Sequence, residues 1–355
     1  MTKRILFTGG GSAGHVSVNV ALIPRFKEEG WTISYIGSHN GIEKDMIKKQ
    51  FPNVPYHGIS SGKLRRYFSM KNFTDPLRVL TGVMQAFRVI KKENPDVIFS
   101  KGGFVSVPVM FAAKMAKVPV AIHESDVTPG LANKLAVPFA TKIYTTFKET
   151  LQHMPADRST CAGAIIRKDL FLGKRVKGEE LTGLQPSKPI LLIMGGSLGA
   201  NAVNKIVRDS LDELLENFSV IHLCGKGNLS PDAPEGYVQY EFVTDELPHI
   251  LAMTDLVVSR AGSNSIFEFL ALKKPMLLIP LPRESSRGDQ ILNAKSFVQQ
   301  GFALTLDEKD LTQESFVTTI RQLRDQHWTM VEKMEKAPPS YTIDQMVDEI
   351  SGLAK

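Results

Sequence analysis

Two stretches of this chain open in the same way, and that repetition narrows its possible folds more than any other feature. Arg4-Ile-Leu-Phe-Thr8 is an apolar run of strand length that breaks at Gly9-Gly-Gly-Ser-Ala-Gly-His15 and resumes as an amphipathic helix to about Glu29. Lys188-Pro-Ile-Leu-Leu-Ile-Met194 breaks likewise at Gly195-Gly-Ser-Leu-Gly-Ala200, before a helix whose apolar stripe is Val203, Ile206, Val207, Leu211, Leu214 and Leu215. A change of period across a glycine break reads as strand, tight turn, helix. Near-continuous apolar strands alternating with helices belong to parallel sheets covered on both faces. A chain of 355 residues also exceeds one ordinary core. The expectation is an α/β protein of two doubly wound, Rossmann-like domains facing each other across a cleft. The first would span residues 1–163, joined by a C-terminal helix over 340–355, and the second residues 164–339.

The spacing Gly9, Gly11, Gly14 satisfies the dinucleotide pattern. That pattern also needs an acid at the end of the next strand to hold a ribose. Here the strand over 32–36 ends in Gly37-Ser38-His39, with no carboxylate, which argues against a nicotinamide-dependent oxidoreductase. Further strands end in Ser100-Lys101-Gly102-Gly103 and in His123-Glu124-Ser125-Asp126, with Asn133 and Lys134 in the helix after the second. In an open parallel sheet such ends line one crevice. Strands are also expected over 220–224, 240–243 and 275–280.

Residues 255–293 carry the most chemistry. Asp255-Leu-Val-Val-Ser259 reads as a strand and Arg260-Ala261-Gly262-Ser263 as its turn. In the helix that follows, Asn264, Ser265 and Glu268 fall on one side and Ile266, Phe267 and Leu270 on the other. A helix N-terminus suits a phosphate, and a carboxylate just behind it suits a sugar diol. The later loop brings Asp289, Gln290 and Asn293. Phosphate, ribose and a further sugar make this a nucleotide-sugar site.

The net charge of +6 favours anionic partners. Cys161 and Cys224 lack metal spacing and fit a reducing compartment. The apolar start is too short for a secretory signal, and the run over 104–113 is far too short to span a bilayer. Residues 63–92 mix Lys63, Arg65, Arg66, Lys71, Arg78, Arg88, Lys91 and Lys92 with Tyr67, Phe68, Leu77, Leu80, Val83, Met84 and Phe87. Such a helix either packs on the core with a charged outer face or leans on anionic lipid. No nucleic-acid motif accompanies the charge.

No Asp-x-Asp occurs, so no metal or other cofactor is expected; a leaving diphosphate would rely on helix N-termini and cations. Ser197, Arg167 and the turn over 260–263 can supply those donors. An acceptor hydroxyl needs a base, for which the candidates are His15, Glu124 and Asp126; His15 leads because its ordinary pKa suits neutral pH.

Taken together, and in this order, these motifs resemble the family of cell-wall N-acetylglucosaminyltransferases that convert lipid I to lipid II. The resemblance spans nearly the whole chain and rests on residues 9–15, 102–106, His123-Glu124, 130–134, 195–200, 260–268 and Asp289-Gln290 with Asn293. It implies a GT-B fold and an inverting, metal-independent transfer from UDP-GlcNAc that forms a β-1,4 link. Donor contacts implied are Ser12, Ala13, Gly14, Arg167, Ser197, Val243, Arg260, Ala261, Gly262, Ser263, Asn264, Glu268, Asp289, Gln290 and Asn293. Acceptor contacts implied are Gly11, Ser12, Gly14, Gly102, Gly103, His123 and Asn133. It further implies a peripheral site on the cytoplasmic face of the cell membrane, contact with the inner-membrane surface through 63–92, and other cell-wall synthesis proteins as partners. Ser125-Asp126, Leu198 and Asp289 stand where the family commonly has Gln-Asn, Gln and Gln, and a carboxylate at 126 would repel a diphosphate. A UDP-GlcNAc 2-epimerase and a non-catalytic nucleotide-sugar-binding scaffold are the alternatives.

Overall fold

Residues 2–12, 14–62, 75–184, 187–195, 200–284 and 286–354 are described by the computed structural model. They form two compact units, Met1–Ile166 with Pro339–Lys355, and Arg167–Pro338.

Unit 1 is built on seven parallel strands: β1 (Arg4–Thr8), β2 (Thr32–Ser38), β3 (Tyr56–Ile59), β4 (Val97–Ser100), β5 (Val120–Glu124), β6 (Lys142–Thr145) and β7 (Ser159–Cys161). Their order is β3-β2-β1-β4-β5-β6-β7. Helices α1 (Gly14–Glu28), α2 (Ile42–Gln50), α3 (Asp75–Glu93), α4 (Ser106–Ala116) and α5 (Leu131–Ala136) lie in the connections. The period of two along β1 buries both faces. Ile5 and Phe7 pack with Leu22, Ile23 and Phe26 of α1, while Leu6 joins Ile98, Val109 and Ile122 on the other side. Phe7 meets Phe26 and Phe99 edge-on at 5.7 and 5.9 Å, a geometry worth about 1 kcal/mol per pair beyond burial.

Unit 2 repeats the plan with six parallel strands: β8 (Ile190–Met194), β9 (Ser219–Leu223), β10 (Tyr237–Tyr240), β11 (Leu256–Ser259), β12 (Met276–Leu278) and β13 (Ala303–Thr305). The order is β10-β9-β8-β11-β12-β13. Its helices are α6 (Arg175–Thr182), α7 (Asn201–Asp209), α8 (Leu211–Asn217), α9 (Leu247–Met253), α10 (Ser263–Ala271), α11 (Asp289–Gln299), α12 (Gln313–Asp325) and α13 (His327–Glu335). The strand expected over 240–243 lies earlier, at Tyr237–Tyr240. Tyr237 and Val238 are the residues that pair with Val220 and Ile221 of β9, and Phe242 is left exposed. On α10 the fully buried apolar residues are Ile266 and Phe269. Leu270, expected on that side, is only partly buried.

The chain then returns to unit 1 with α14 (Ile343–Ser351), opened by a capping box between Thr342 and Gln345. Ile343, Met346, Val347 and Ile350 enter the core beside α1. Arg25 of α1 reaches Asp344 at 2.5 Å, and the Tyr144 hydroxyl donates to Glu349 at 3.1 Å.

In each sheet the strand order reverses once, between β1 and β4 and between β8 and β11. Connections leave such a point in opposite directions, opening a crevice beyond the carboxyl ends of the two strands. The segments following those strands begin at Gly9, Lys101, Gly195 and Arg260.

Candidate functional site

At the unit 1 crevice the glycine loop is fastened from several sides. Asn19 Nδ2 donates to Thr8 O at 3.1 Å and to the Tyr35 hydroxyl at 3.0 Å, and that hydroxyl donates to Gly9 O at 2.8 Å. Glu43, in the first turn of α2, accepts from Gly11 N–H at 3.1 Å and from the N–H and hydroxyl of Ser38 at 2.8 and 2.5 Å. Burial alone would raise its carboxyl, but the Ser38 and Gly11 bonds outweigh burial and hold it below the usual carboxylate range. The loop after β4 touches the first one backbone to backbone. Gly10 N–H donates to Gly102 O at 3.3 Å. Gly103 has φ +84°, and a Cβ there would lie 2.1 Å from Gly10 O, so only glycine fits. His15 opens α1 with Nδ1 3.0 Å from Ser12 Oγ, and its own N–H donates to Ser12 O.

At the end of β5, Glu124 is buried and accepts four N–H groups: Ser125 at 2.8 Å, Asp126 at 3.0 Å, Gly130 at 3.0 Å and Asn133 Nδ2 at 2.9 Å. Those bonds occupy its acceptor positions and hold the turn over 125–130. His123 is buried beside it, and burial with the neighbouring Lys101 charge keeps its ring well below the ordinary histidine value, hence neutral. Asn133 is buried too, and a Cβ on Gly102 would meet its Oδ1 at 2.9 Å. His123 and Asn133, expected to touch an acceptor, are both buried at the end of β5 and the start of α5.

In unit 2, Ser259 Oγ donates to Met194 O at 2.9 Å and ties the ends of β11 and β8 together. Gly262 precedes α10 and brings no side chain to its first turn. Arg260 is buried, donating to Ile279 O at 3.0 Å and pairing with Glu308 at 2.5 Å. These two bonds hold Arg260 against the end of β12 and Glu308. Asn293 is fully buried, and its Nδ2 donates to Ala261 O at 3.1 Å. Ala261 is itself fully buried.

Glu268 is partly buried on α10. Burial pushes its carboxyl up to about 7, the Arg167 guanidinium opposing and Asp169 assisting. Arg167 pairs with Asp169 at 3.2 Å. Gln290 Oε1 accepts the Leu281 N–H at 2.9 Å, and Asp289 pairs with Arg287 at 3.3 Å. Val243 is partly buried, next to the exposed Phe242. Ala13, Ser197 and Leu198 lie outside the described residues, as do Lys63, Arg65, Arg66, Tyr67, Phe68 and Lys71.

Sequence reasoning passed over Glu43 and the Asn19–Tyr35 pair. The available signal for Glu43 was an acid in the first turn of the helix after β2, five residues beyond the strand end and not at it.

Comparison with known proteins also divides the chain into two domains, although the second family model runs on into α14 of unit 1. Residues 5–145 match the glycosyltransferase family 28 N-terminal domain and residues 190–348 its C-terminal domain. A Geobacillus kaustophilus protein named UDP-N-acetylglucosamine–N-acetylmuramyl-(pentapeptide) pyrophosphoryl-undecaprenol N-acetylglucosamine transferase is 54% identical over 357 residues, covering 100% of both chains. A Clostridium tetani protein of the same name is 50% identical over 352 residues, covering 99% of this chain and 98% of the relative. Among solved structures, Acinetobacter baumannii MurG superposes with a TM-score of 0.78 at 24% identity, covering 99% of each chain. That likeness identifies the architecture as GT-B.

Proposed function

This chain belongs to glycosyltransferase family 28, and from that premise we propose that it transfers N-acetylglucosamine from UDP-GlcNAc to lipid I. The acceptor is the C4 hydroxyl of the N-acetylmuramyl residue on undecaprenyl diphosphate, and the products are lipid II and UDP. The hydroxyl oxygen attacks the anomeric carbon from the face opposite the diphosphate, the bond from that carbon to the phosphate oxygen breaks, and the hydroxyl proton passes to a base. The link formed is β-1,4. The observation that carries the reading is in unit 2, where α10 starts directly at the sheet's reversal point and holds the Glu268 carboxylate five residues behind its first residue.

That arrangement suits a nucleotide-sugar in a fixed direction. Backbone N–H groups of Gly262, Ser263 and Asn264, with Ser197, meet the diphosphate and stabilise the charge that grows on it as UDP leaves. The Arg167 guanidinium adds a positive charge near the same helix. Glu268 accepts from the ribose diol. Gln290, its oxygen already engaged, meets the sugar's hydroxyls as an N–H donor, with Asp289 beside it. The backbone at Val243 takes the uracil.

In unit 1 the backbone of Gly11, Ser12, Gly14, Gly102 and Gly103 receives the acceptor. Ser12 orients His15: with the proton on Nδ1 and donated to Ser12 Oγ, Nε2 is the basic nitrogen. Glu124 anchors the turn that carries Asp126. Leu80 and Met84 on α3, Phe111 and Met115 on α4, and Leu131 and Leu135 on α5 are exposed, Leu80 at 61% and Met115 at 56%. Arg78, Arg88, Lys114, Lys117 and Lys134 are exposed on or beside the same helices. An apolar face with a basic surround suits an anionic bilayer surface, which brings the lipid-linked acceptor to the enzyme. Among the described residues no helix is long and apolar enough to cross a membrane.

Incubation with UDP-GlcNAc and a short-chain lipid I analogue in excess chelator tests the reading. Disaccharide-linked product and stoichiometric UDP are expected. UDP-GlcNAc consumed equally without acceptor, or no product with it, would overturn the assignment.

A further inference from the structure

Glu43 takes no part in the reading above, yet its side chain is fully buried against the glycine loop. A buried carboxylate is costly unless hydrogen-bonded, and this one has a site built around it. The Ser38 N–H and hydroxyl donate to it at 2.8 and 2.5 Å, and the Gly11 N–H at 3.1 Å. A Cβ on Gly10 or Gly41 would run into the carboxylate, and one on Gly37 would lie 2.9 Å from its Cγ, so three glycines make its room. Ser38 is held in turn, its carbonyl accepting from the Tyr56 hydroxyl at 2.6 Å, and Tyr56 stacks on Tyr35 at 5.8 Å.

These contacts fasten two successive peptide planes of the loop. In the Gly9–Gly10 plane, Gly9 O accepts from the Tyr35 hydroxyl and Gly10 N–H donates to Gly102 O. In the Gly10–Gly11 plane, the N–H goes to Glu43 while Gly10 O lies against Gly103. The next residues are exposed, and a Cβ on Gly11 would meet nothing within 4 Å. Gly11 has φ +88°, and glycine is too permissive to fix a direction by itself. Glu43 thus grips the chain one residue before Ser12, and Ser12 holds the His15 imidazole and backbone at 3.0 and 3.1 Å.

We propose that Glu43 is a positioning residue for the transfer step. By fixing the Gly10–Gly11 peptide it sets the direction in which the loop leaves toward Ser12, and so the place of the His15 imidazole against the acceptor hydroxyl. A displacement of about 1 Å at a reacting group costs about a hundredfold in rate, so a carboxylate that never meets substrate acts through where it puts the base. The proposal rests on the reading of His15 as that base.

The test is a cycle of E43Q, S12A and the double variant, assayed with UDP-GlcNAc and a short-chain lipid I analogue well below each melting temperature. Glutamine keeps the shape but turns N–H groups toward Gly11 or Ser38; kcat should fall about tenfold to a hundredfold, with UDP-GlcNAc affinity unchanged. S12A frees the imidazole from the other end and should fall likewise. The double variant should lose little more than the worse single variant, because both break one chain of contacts. A merely structural Glu43 would lower the melting temperature and leave kcat alone. That outcome, an equal loss of donor affinity, or additive losses in the double variant would each overturn the proposal. S38A takes only one hydroxyl from the carboxylate and should lower kcat about threefold; should E43Q fail to fold, unchanged kcat in S38A overturns the proposal. A His15→Ala variant that turns over normally would instead sink the reading on which the proposal rests.

Discussion

Glu268→Gln separates what the Glu268 carboxylate does for folding from what it does for binding. Burial pushes its carboxyl up to about 7, against an ordinary value of 4.5. A raised carboxyl means the folded chain holds a proton that the unfolded chain releases, so stability is fully present below pH 4.5 and is lost as pH rises through 7. A rise from 4.5 to about 7 corresponds to about 3 kcal/mol at pH 8. The amide carries no charge there and should relieve most of that cost, so the variant should melt higher than wild type at pH 8 and match it near pH 5. Donor binding should move the opposite way. If only the carboxylate grips the ribose diol, about 9% of the protein is competent at pH 6 and about 91% at pH 8, a tenfold change in apparent affinity. The amide forfeits charge-assisted hydrogen bonds, about 1–3 kcal/mol, and its affinity should be flat with pH. Calorimetric titration with UDP-GlcNAc from pH 6 to 8.5 reads both effects, because a diphosphate esterified at both ends has no group titrating in that range. Wild-type affinity independent of pH, or a variant that binds as wild type does, would remove Glu268 from the ribose and leave its burial unexplained.

Other positions give independent checks. His222 is buried between Tyr237 and Asn204, at 2.8 and 3.0 Å, and burial followed by the Arg208 charge lowers it from 6.5 to about 4. The unfolded chain therefore binds the extra proton between those values, and unit 2 should lose up to about 3 kcal/mol as pH falls from 6.5 to 4; denaturant titrations should show this slope reduced in His222→Gln. Gly103→Ala places a methyl 2.1 Å from Gly10 O at φ +84°, and a loss of about 2–4 kcal/mol is expected by chemical denaturation. Leu80→Glu with Met115→Glu should lower sedimentation with anionic vesicles by about tenfold or more while leaving turnover of a water-soluble acceptor analogue intact; unchanged vesicle binding would move the membrane face elsewhere.

The parts of this molecule legible in the sequence are those governed by periodicity and by glycine. The two strand–glycine–helix openings stand out because buried parallel strands admit little but apolar residues and the turns admit little but glycine. β10 was misplaced by three residues, since Tyr240 to Val243 is as apolar as Tyr237 to Tyr240. Only the pairing of Tyr237 and Val238 with β9 decides between the two registers. Arg260, Asn293, His123 and Asn133 stand in the sequence as ligand contacts implied by the family resemblance, and all four are buried. Whether such a side chain faces the crevice or the wall behind it depends on neighbours distant in sequence, such as Glu308 for Arg260. Lys101 was visible only as part of a strand end, and its bond to Ser125 is made by the fold.

Glu43 and Glu268 explain how two units with the same opening come to treat a ligand differently. Each carboxylate sits on a helix near the sheet's reversal point and each is at least partly buried. In unit 1 the N–H groups of Gly11 and Ser38 and the Ser38 hydroxyl satisfy Glu43, and its carboxyl falls below the usual range. The acid that a dinucleotide fold would offer to a ribose is thus consumed in shaping the loop. In unit 2 burial prevails at Glu268 and its carboxyl rises, which leaves a group whose charged form gains from an incoming diol. The same substitution should therefore have opposite signs in the two places. Glu43→Gln keeps the shape but turns amide hydrogens toward the donors at Gly11 or Ser38, and a loss of about 1–3 kcal/mol of unit 1 stability is expected, whereas Glu268→Gln should stabilise unit 2 at pH 8. Paired melts with unchanged UDP-GlcNAc affinity in Glu43→Gln would fit this division. Stabilisation by Glu43→Gln would show that its hydrogen bonds do not offset its burial, and the distinction between the two units would fail.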